Sequence, residues 1–149
     1  MDEIDIKILN LLRDNARVTV SEIGTRISLS TPAVSERLKK LEVSGAIEKY
    51  SAILNPSHFN KNLTSIMFIS LERPKYTDKF IEFIKCEDDV LECNYIAGDY
   101  DYLLKIVTDS THTLEKLLNK IKGIPGIQKT KTVVVLSTVK DSHSIVPGI

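Results

Sequence analysis

Residues 19–41 read TVSEIGTRISLSTPAVSERLKKL, and this run decides how the first third of the chain folds. Thr19-x-x-Glu22 is a capping-box pattern, in which the Thr oxygen takes the N3 amide while the Glu reaches back. Val20, Ile23 and Ile27 then fall on one helical face. After Ser28-Leu29-Ser30, Thr31-Pro32 reads as a cap residue followed by proline at the first helical position. Val34, Leu38 and Leu41 continue at i, i+4 and i+7. Two short helices joined by about three residues are predicted, the second with polar side chains outward.

Upstream, Ile4, Ile8, Leu11 and Leu12 recur at helical spacing. Asp2, Glu3 and Asp5 sit where a helix N-terminus favours negative charge, and Asn15 and Arg17 end that helix. Downstream, Gly45 can close the third helix in the left-handed region. Ile47 to Leu54 reads as extended. Residues 1–54 therefore form a helical domain, and the polar, proline-containing residues 55–62 form a linker.

Residues 63–149 alternate strand and helix. Ser65–Leu71 is apolar on both faces, with Ile66 and Phe68 on one and Met67, Ile69 and Leu71 on the other. Phe80, Ile81 and Ile84 mark a helix over residues 77–86. Val90–Ala97 and Tyr102–Thr108 pair as a hairpin around Gly98-Asp99-Tyr100-Asp101. Leu114, Leu117, Leu118 and Ile121 form a helix stripe ended by Gly123-Ile124-Pro125-Gly126, and Ile127–Val139 is a long β-branched strand. The order β-α-β-β-α-β is the ferredoxin-like arrangement, so the fold class is α+β. Two helices cover one face of such a sheet. A second copy of the chain is the natural cover for the other, and a dimer is expected.

The chain has 149 residues, with twenty basic and twenty acidic side chains that cancel. A globally basic nucleic-acid binder is excluded, but a local basic face is not. From Arg13 to Leu41 six basic residues (Arg13, Arg17, Arg26, Arg37, Lys39, Lys40) outnumber three acids (Asp14, Glu22, Glu36). No run of apolar residues is long enough to span a membrane and no secretory signal is expected, which points to the cytoplasm. Cys86 and Cys93 have neither a metal nor a redox spacing, and two reduced, mostly buried thiols are expected. His58, His112 and His143 form no ligand set, no nucleophile–histidine or glycine-rich phosphate motif is present, and no cofactor or catalytic residue is assigned.

With Val34, Leu38 and Leu41 facing inward, Pro32, Ser35, Glu36, Lys39 and Lys40 point away. Ser30 and Thr31 lie at the helix N-terminus, whose amides favour a phosphate. If the pair is a helix-turn-helix, Thr31, Pro32, Ser35 and Glu36 meet the groove floor of double-stranded DNA, and Arg37, Lys39 and Lys40 hold phosphates. Glu36 can accept from cytosine N4 but repels phosphate. The same pattern also describes a packed helical bundle with surface lysines. At the hairpin, Gly98 supplies a positive φ for the turn. Asp99 and Asp101 can accept from an α-ammonium, or serve only as solvated turn residues.

Asp5-x-x-Ile8-Leu9-x-x-Leu12-x-x-Asn15-Ala16-Arg17, followed by Leu29-Ser30-x-x-x-Val34-x-x-Arg37-Leu38-x-x-Leu41-Glu42-x-x-Gly45-x-Ile47, resembles the Lrp/AsnC family of transcriptional regulators. The second half, with Gly98-x-Tyr100-Asp101-Tyr102 in its hairpin, fits as well. The resemblance implies an N-terminal, winged-helix-like helix-turn-helix domain with its DNA helix at Thr31–Ser44. It also implies an amino-acid-sensing ferredoxin-like module that dimerises through its sheets and often assembles to tetramers or octamers. The effector pocket it implies lies near Gly98, Asp99, Tyr100 and Asp101. Gly24 stands where the family usually shows Ala, which costs about 1 kcal/mol of helix propensity. Asn60 stands where a Gly often follows the linker. Two other readings are an architectural DNA binder without effector and a siroheme-decarboxylase-like enzyme, for which the expected pocket of His, Arg or Tyr is not evident.

Overall fold

A computed structural model describes residues 1–148. They form two units, one of Met1–Ile53 with the residues from Lys140 onward, the other of Leu54–Val139.

In the first unit three helices enclose a small core: α1 (Glu3–Asp14), α2 (Val20–Ile27) and α3 (Thr31–Val43). Each starts on a side-chain cap. Asp2 and Asp5 form a reciprocal capping box on α1, and Thr19 and Glu22 do the same on α2. The cap of α3 falls one residue earlier than the sequence suggests. Ser30 is the N-cap, its hydroxyl accepting from the Ala33 amide, so Thr31 is already helical and Pro32 lies second. Proline is tolerated there because that amide would have no intrahelical partner. Ile8, Ile23, Val34 and Leu41 are buried together, with Leu12, Ile27 and Leu38 packed around them. Gly45 has φ +76 just beyond α3. Ile47–Leu54, read as extended, forms no hydrogen-bonded strand among the described residues.

The turn between α2 and α3 explains Gly24. Ser28 takes the left-handed conformation at φ 58 and ψ 45, and the Leu29 amide donates back to the Gly24 carbonyl at 2.9 Å. A Cβ on residue 24 would lie 2.5 Å from the Leu29 carbonyl oxygen. The glycine is thus required by a close backbone approach, and the propensity argument alone gives the wrong sign for its effect. Asn60 likewise has φ 57 and closes the short 3-10 turn Pro56–Phe59; asparagine is among the few residues at ease there.

The second unit has β1 (Leu63–Leu71), α4 (Thr77–Lys85), β2 (Val90–Tyr95), β3 (Tyr102–Thr108), α5 (Thr111–Lys122) and β4 (Ile127–Val134). The sheet order is β2-β3-β1-β4, all antiparallel, the expected ferredoxin-like topology. Met67, Ile69, Leu104 and Ile106 point to the helices and are buried with Phe80, Leu117 and Ile121. The Phe80 ring meets Tyr102 at 4.7 Å between centroids. Two strands are shorter than predicted. β4 stops at Val134, opposite Ser65, and beyond that pair only the Val135 amide finds one more acceptor, Thr64. β2 stops at Tyr95, where the Ile96 amide donates to the Asp101 carbonyl and closes the hairpin.

On the face away from the helices, Ile66 and Phe68 are half-buried and Val133 is 41% exposed. Cys86 and Cys93 are both free and exposed, contrary to the expectation of buried thiols. Cys86 caps the end of α4, and Cys93 lies on the edge strand β2, most of whose residues face solvent.

Candidate nucleic-acid interface and effector turn

On α3 the burial of Val34, Leu38 and Leu41 fixes which side chains face out. Thr31, Pro32, Ser35, Glu36, Lys39 and Lys40 are all exposed, as the helical rotation requires. With Ser30 capping only one amide, the first turn keeps donors and the positive end of the helix dipole beside Thr31 and Pro32. The face is small, polar and uncluttered at its N-terminal end and cationic further along.

Three charges of α3 are engaged within the protein. Glu36 and Lys40 pair across one helical turn at 2.8 Å, both largely exposed. The hydrogen bond from Lys40, and then its charge, hold the Glu36 carboxyl below the usual glutamate range. Lys39 has no ion-pair partner among the described residues, which leaves it the freest cation of this face. Arg37, expected at a phosphate, is engaged within the domain. Its guanidinium donates to Asp2 at 2.8 Å and to Asp5 at 2.7 Å. These hydrogen bonds, the one to Asp2 foremost, raise its already high pKa. The two acids are also the capping box of α1, so Arg37 ties the start of α1 to the middle of α3. Its charge is paired inside the domain, between α3 and the start of α1. The sequence carried the signal, in two acids one turn apart at a helix start, but not which arginine they would meet.

In the second unit the hairpin turn is pinned to the end of β1. Gly98 has φ +143, which no L side chain adopts readily. The Asp101 amide donates to the Ile69 carbonyl at 2.9 Å, and its carboxylate Oδ2 accepts from the Leu71 amide at 2.8 Å. The Ser70 hydroxyl donates to the Asp99 carbonyl at 3.4 Å. Asp101 therefore has one carboxylate oxygen committed to the fold, whereas the Asp99 side chain stands exposed. Tyr100 packs on Phe68 at 5.5 Å, and the Lys129 ammonium sits 4.5 Å from its ring centre. Lys129 comes from β4, far along the chain from the turn, and no local pattern could place it there.

Among the described residues no cluster of His, Cys, Asp and Glu could hold a metal ion, and no helix is long and apolar enough to cross a membrane.

Comparison with known proteins accounts for both halves. Residues 1–42 match the AsnC-type helix-turn-helix domain, and residues 64–145 match the Lrp/AsnC ligand binding domain. The leucine-responsive regulatory protein of Escherichia coli strain K12 is 34% identical, over 98% of this chain and 91% of its own length. A transcriptional regulator from Neisseria meningitidis, solved as an L-Met complex, superposes with a TM-score of 0.93 at 29% identity. That match covers 97% of this chain and 96% of the other. Escherichia coli AsnC superposes with a TM-score of 0.90 at 27% identity, over 99% of each chain. An N-terminally capped third helix with an exposed face on a three-helix core, joined to a β-α-β-β-α-β module and matched over nearly its whole length, leaves one conclusion: the chain belongs to the Lrp/AsnC family of DNA-binding transcriptional regulators, a family that is not one of enzymes.

Proposed function

We propose that this regulator binds DNA sequence-specifically as a homo-oligomer and that a small amino acid modulates it. The observation that carries the DNA reading is the sorting of α3, with a buried stripe on one side and Thr31, Pro32, Ser35, Lys39 and Lys40 together on the other. Thr31, Pro32, Ser35 and Glu36 face the major-groove floor, Ser30 lies with the phosphate at the helix N-terminus, and Lys39 and Lys40 hold phosphates, with Glu36 tempering Lys40. Base edges set sequence choice and phosphates set affinity.

The dimer forms through the face of the sheet that carries Ile66, Phe68 and Val133, a surface that a single chain leaves partly exposed. Two copies present two recognition helices to half-sites about one helical turn apart, ~34 Å. Because the net charge is zero, affinity comes from this local face and from several helices engaged by one oligomer, a dimer extending to a tetramer or octamer. The protein works beside DNA in the cytoplasm.

The effector acts at the turn Gly98, Asp99, Tyr100 and Asp101. Asp99 and the uncommitted oxygen of Asp101, which can accept from an α-ammonium, and a Lys129-backed aromatic ring support this reading. The effector shifts assembly only in so far as it binds one state better than another. The Neisseria relative was solved as a complex with L-Met, which accords with an amino-acid effector.

The test is retardation of the protein's own upstream DNA at two salt concentrations with excess random competitor. Competitor-resistant, salt-sensitive complexes are expected. Complexes lost to competitor, and indifferent to a full panel of amino acids, would replace this reading with the architectural one.

A further inference from the structure

Val34 and Leu41 seat α3 on the core of its unit, buried with Ile8 of α1 and Ile23 of α2. Apolar burial has no direction, so it holds α3 down without fixing its tilt. Direction comes from polar ties. At its start α3 follows the tight turn in which the Leu29 amide donates to the Gly24 carbonyl. In its middle, Arg37 Nη1 donates to Asp2 Oδ2 at 2.8 Å and to Asp5 Oδ1 at 2.7 Å. Among the described residues these are the only hydrogen bonds and ion pairs between α3 and the start of α1.

The two acids are already held in place. Asp2 Oδ1 accepts from the Asp5 amide and Asp5 Oδ2 from the Asp2 amide, each at 2.9 Å. Each carboxylate therefore gives one oxygen to the cap of α1 and the other to Arg37, and neither can swing away without breaking one of them. The positive end of α1 offsets the negative charge that one guanidinium leaves over. Asp5 exposes only 15% of its side chain, which shields its pair from solvent and salt. Ser35 and Glu36 immediately precede Arg37 on α3. Hydrogen bonds to base edges weaken steeply when their angle is lost, whereas the flexible stems of Lys39 and Lys40 absorb a small shift of the helix.

We propose that Arg37 is a positioning residue for sequence recognition: its clamp on Asp2 and Asp5 fixes the angle of α3 against α1, and with it the register of Thr31, Pro32, Ser35 and Glu36 on the base edges. The proposal rests on the sequence-specific reading above and names the contact on which that specificity depends. Arg37 thus governs the choice between sequences, while Lys39 and Lys40 govern affinity for all of them.

The test measures retardation of the protein's own upstream DNA and of random DNA across a salt series, well below the melting midpoint of each variant. Arg37→Gln should weaken binding to the upstream DNA at least tenfold, leave random DNA within about twofold, and leave the salt slope unchanged. Arg37→Lys keeps the charge but reaches less far, and should fall between. Asp2→Asn keeps an acceptor for the Asp5 amide and removes a negative charge, which by general electrostatics favours DNA; the clamp predicts weaker binding to the upstream DNA all the same. Circular dichroism checks that each variant is folded. Equal losses by Arg37→Gln on both DNAs, with a slope lower by about 1, would make Arg37 a phosphate contact and overturn the proposal. A lower melting midpoint with both affinities unchanged would reduce the clamp to a structural tie and overturn it as well. A wild type that does not distinguish its upstream DNA from random DNA overturns the sequence-specific reading and this proposal together.

Discussion

Gly24→Ala should destabilise the helix-turn-helix unit although alanine is the better helix former. Propensity alone favours the substitution by about 1 kcal/mol. Against this, the new Cβ would sit 2.5 Å from the Leu29 carbonyl oxygen, where ordinary contact begins near 3.4 Å. The obstacle is backbone, and it cannot swing aside like a side chain. It is held by the 2.9 Å bond from the Leu29 amide to the Gly24 carbonyl and by the left-handed Ser28. Behind it, Val34 of α3 lies 3.7 Å from the same Cβ. Relief must come from moving the turn and α3 by most of an ångström. Overpacking of this kind costs about 1–3 kcal/mol, and a backbone obstacle puts it at the upper end. The net loss is then about 2 kcal/mol, since the cost of the clash exceeds the gain in propensity. For a unit of some fifty residues each 1 kcal/mol is worth roughly 4–8 °C, so the midpoint should fall by about 8 °C or more. Differential scanning calorimetry of the full chain reads the shift directly. Because α3 must move against α2, specific DNA binding should fall more than binding to random DNA. An unchanged or raised midpoint would refute the steric argument and leave propensity in control.

Lys39→Ala should weaken binding to every DNA sequence and lower the salt slope by about 1, whereas Ser35→Ala should alter sequence preference; equal losses on specific and random DNA would remove Ser35 from base readout. Glu36→Gln removes a repulsive carboxylate and frees Lys40, so binding to random DNA at low salt should rise several-fold with a steeper salt slope, and an unchanged affinity would mean that this face does not meet the phosphates. Arg37 divides two mechanisms through its partner: if it positions α3, Asp5→Asn weakens DNA binding and lowers the melting midpoint, whereas a phosphate-binding Arg37 would be released and bind DNA more tightly. The Tyr50 phenol donates to Glu42 at 2.9 Å, and partial burial, then that bond and the nearby charge, push its pKa up to about 12. Raised in the folded chain, it contributes stability that is complete below pH 10 and is lost as pH rises through about 12; ultraviolet titration should show a late phenol that Tyr50→Phe removes. Asp2 and Glu22 run the other way: hydrogen bonds from Asp5 and Thr19 backbone amides lower their pKa, so their contribution is present above the ordinary values of 3.8 and 4.5 and is lost on acidification below them; Glu22→Gln, which cannot titrate, should therefore lose less of its melting midpoint between neutral and acid pH than the wild type.

Much of this molecule follows from local rules. The periodicity of Val34, Leu38 and Leu41 needs only the 3.6-residue turn to decide which side chains of α3 face out. Caps at Asp2 and Thr19 are contacts between residues three apart, so the sequence contains both partners. The β-α-β-β-α-β order is written in alternating periods, and a single glycine at residue 98 marks the hairpin. What no local rule contained is which distant groups meet. Arg37 reads as one more surface cation until α1 brings Asp2 and Asp5 to it across more than thirty residues. Gly24 reads as a weak helix position until the turn brings the Leu29 carbonyl over it. Strand ends behave in the same way: β4 has the side chains to run to Val139 but its ladder with β1 ends at the Ser65–Val134 pair. Residue preferences act over one or two turns of chain, and so the sequence by itself determined the elements, their order and their outward faces. Hydrogen-bond partners, ion pairs and steric approaches between elements depend on where the whole chain returns, and only the tertiary structure decided them.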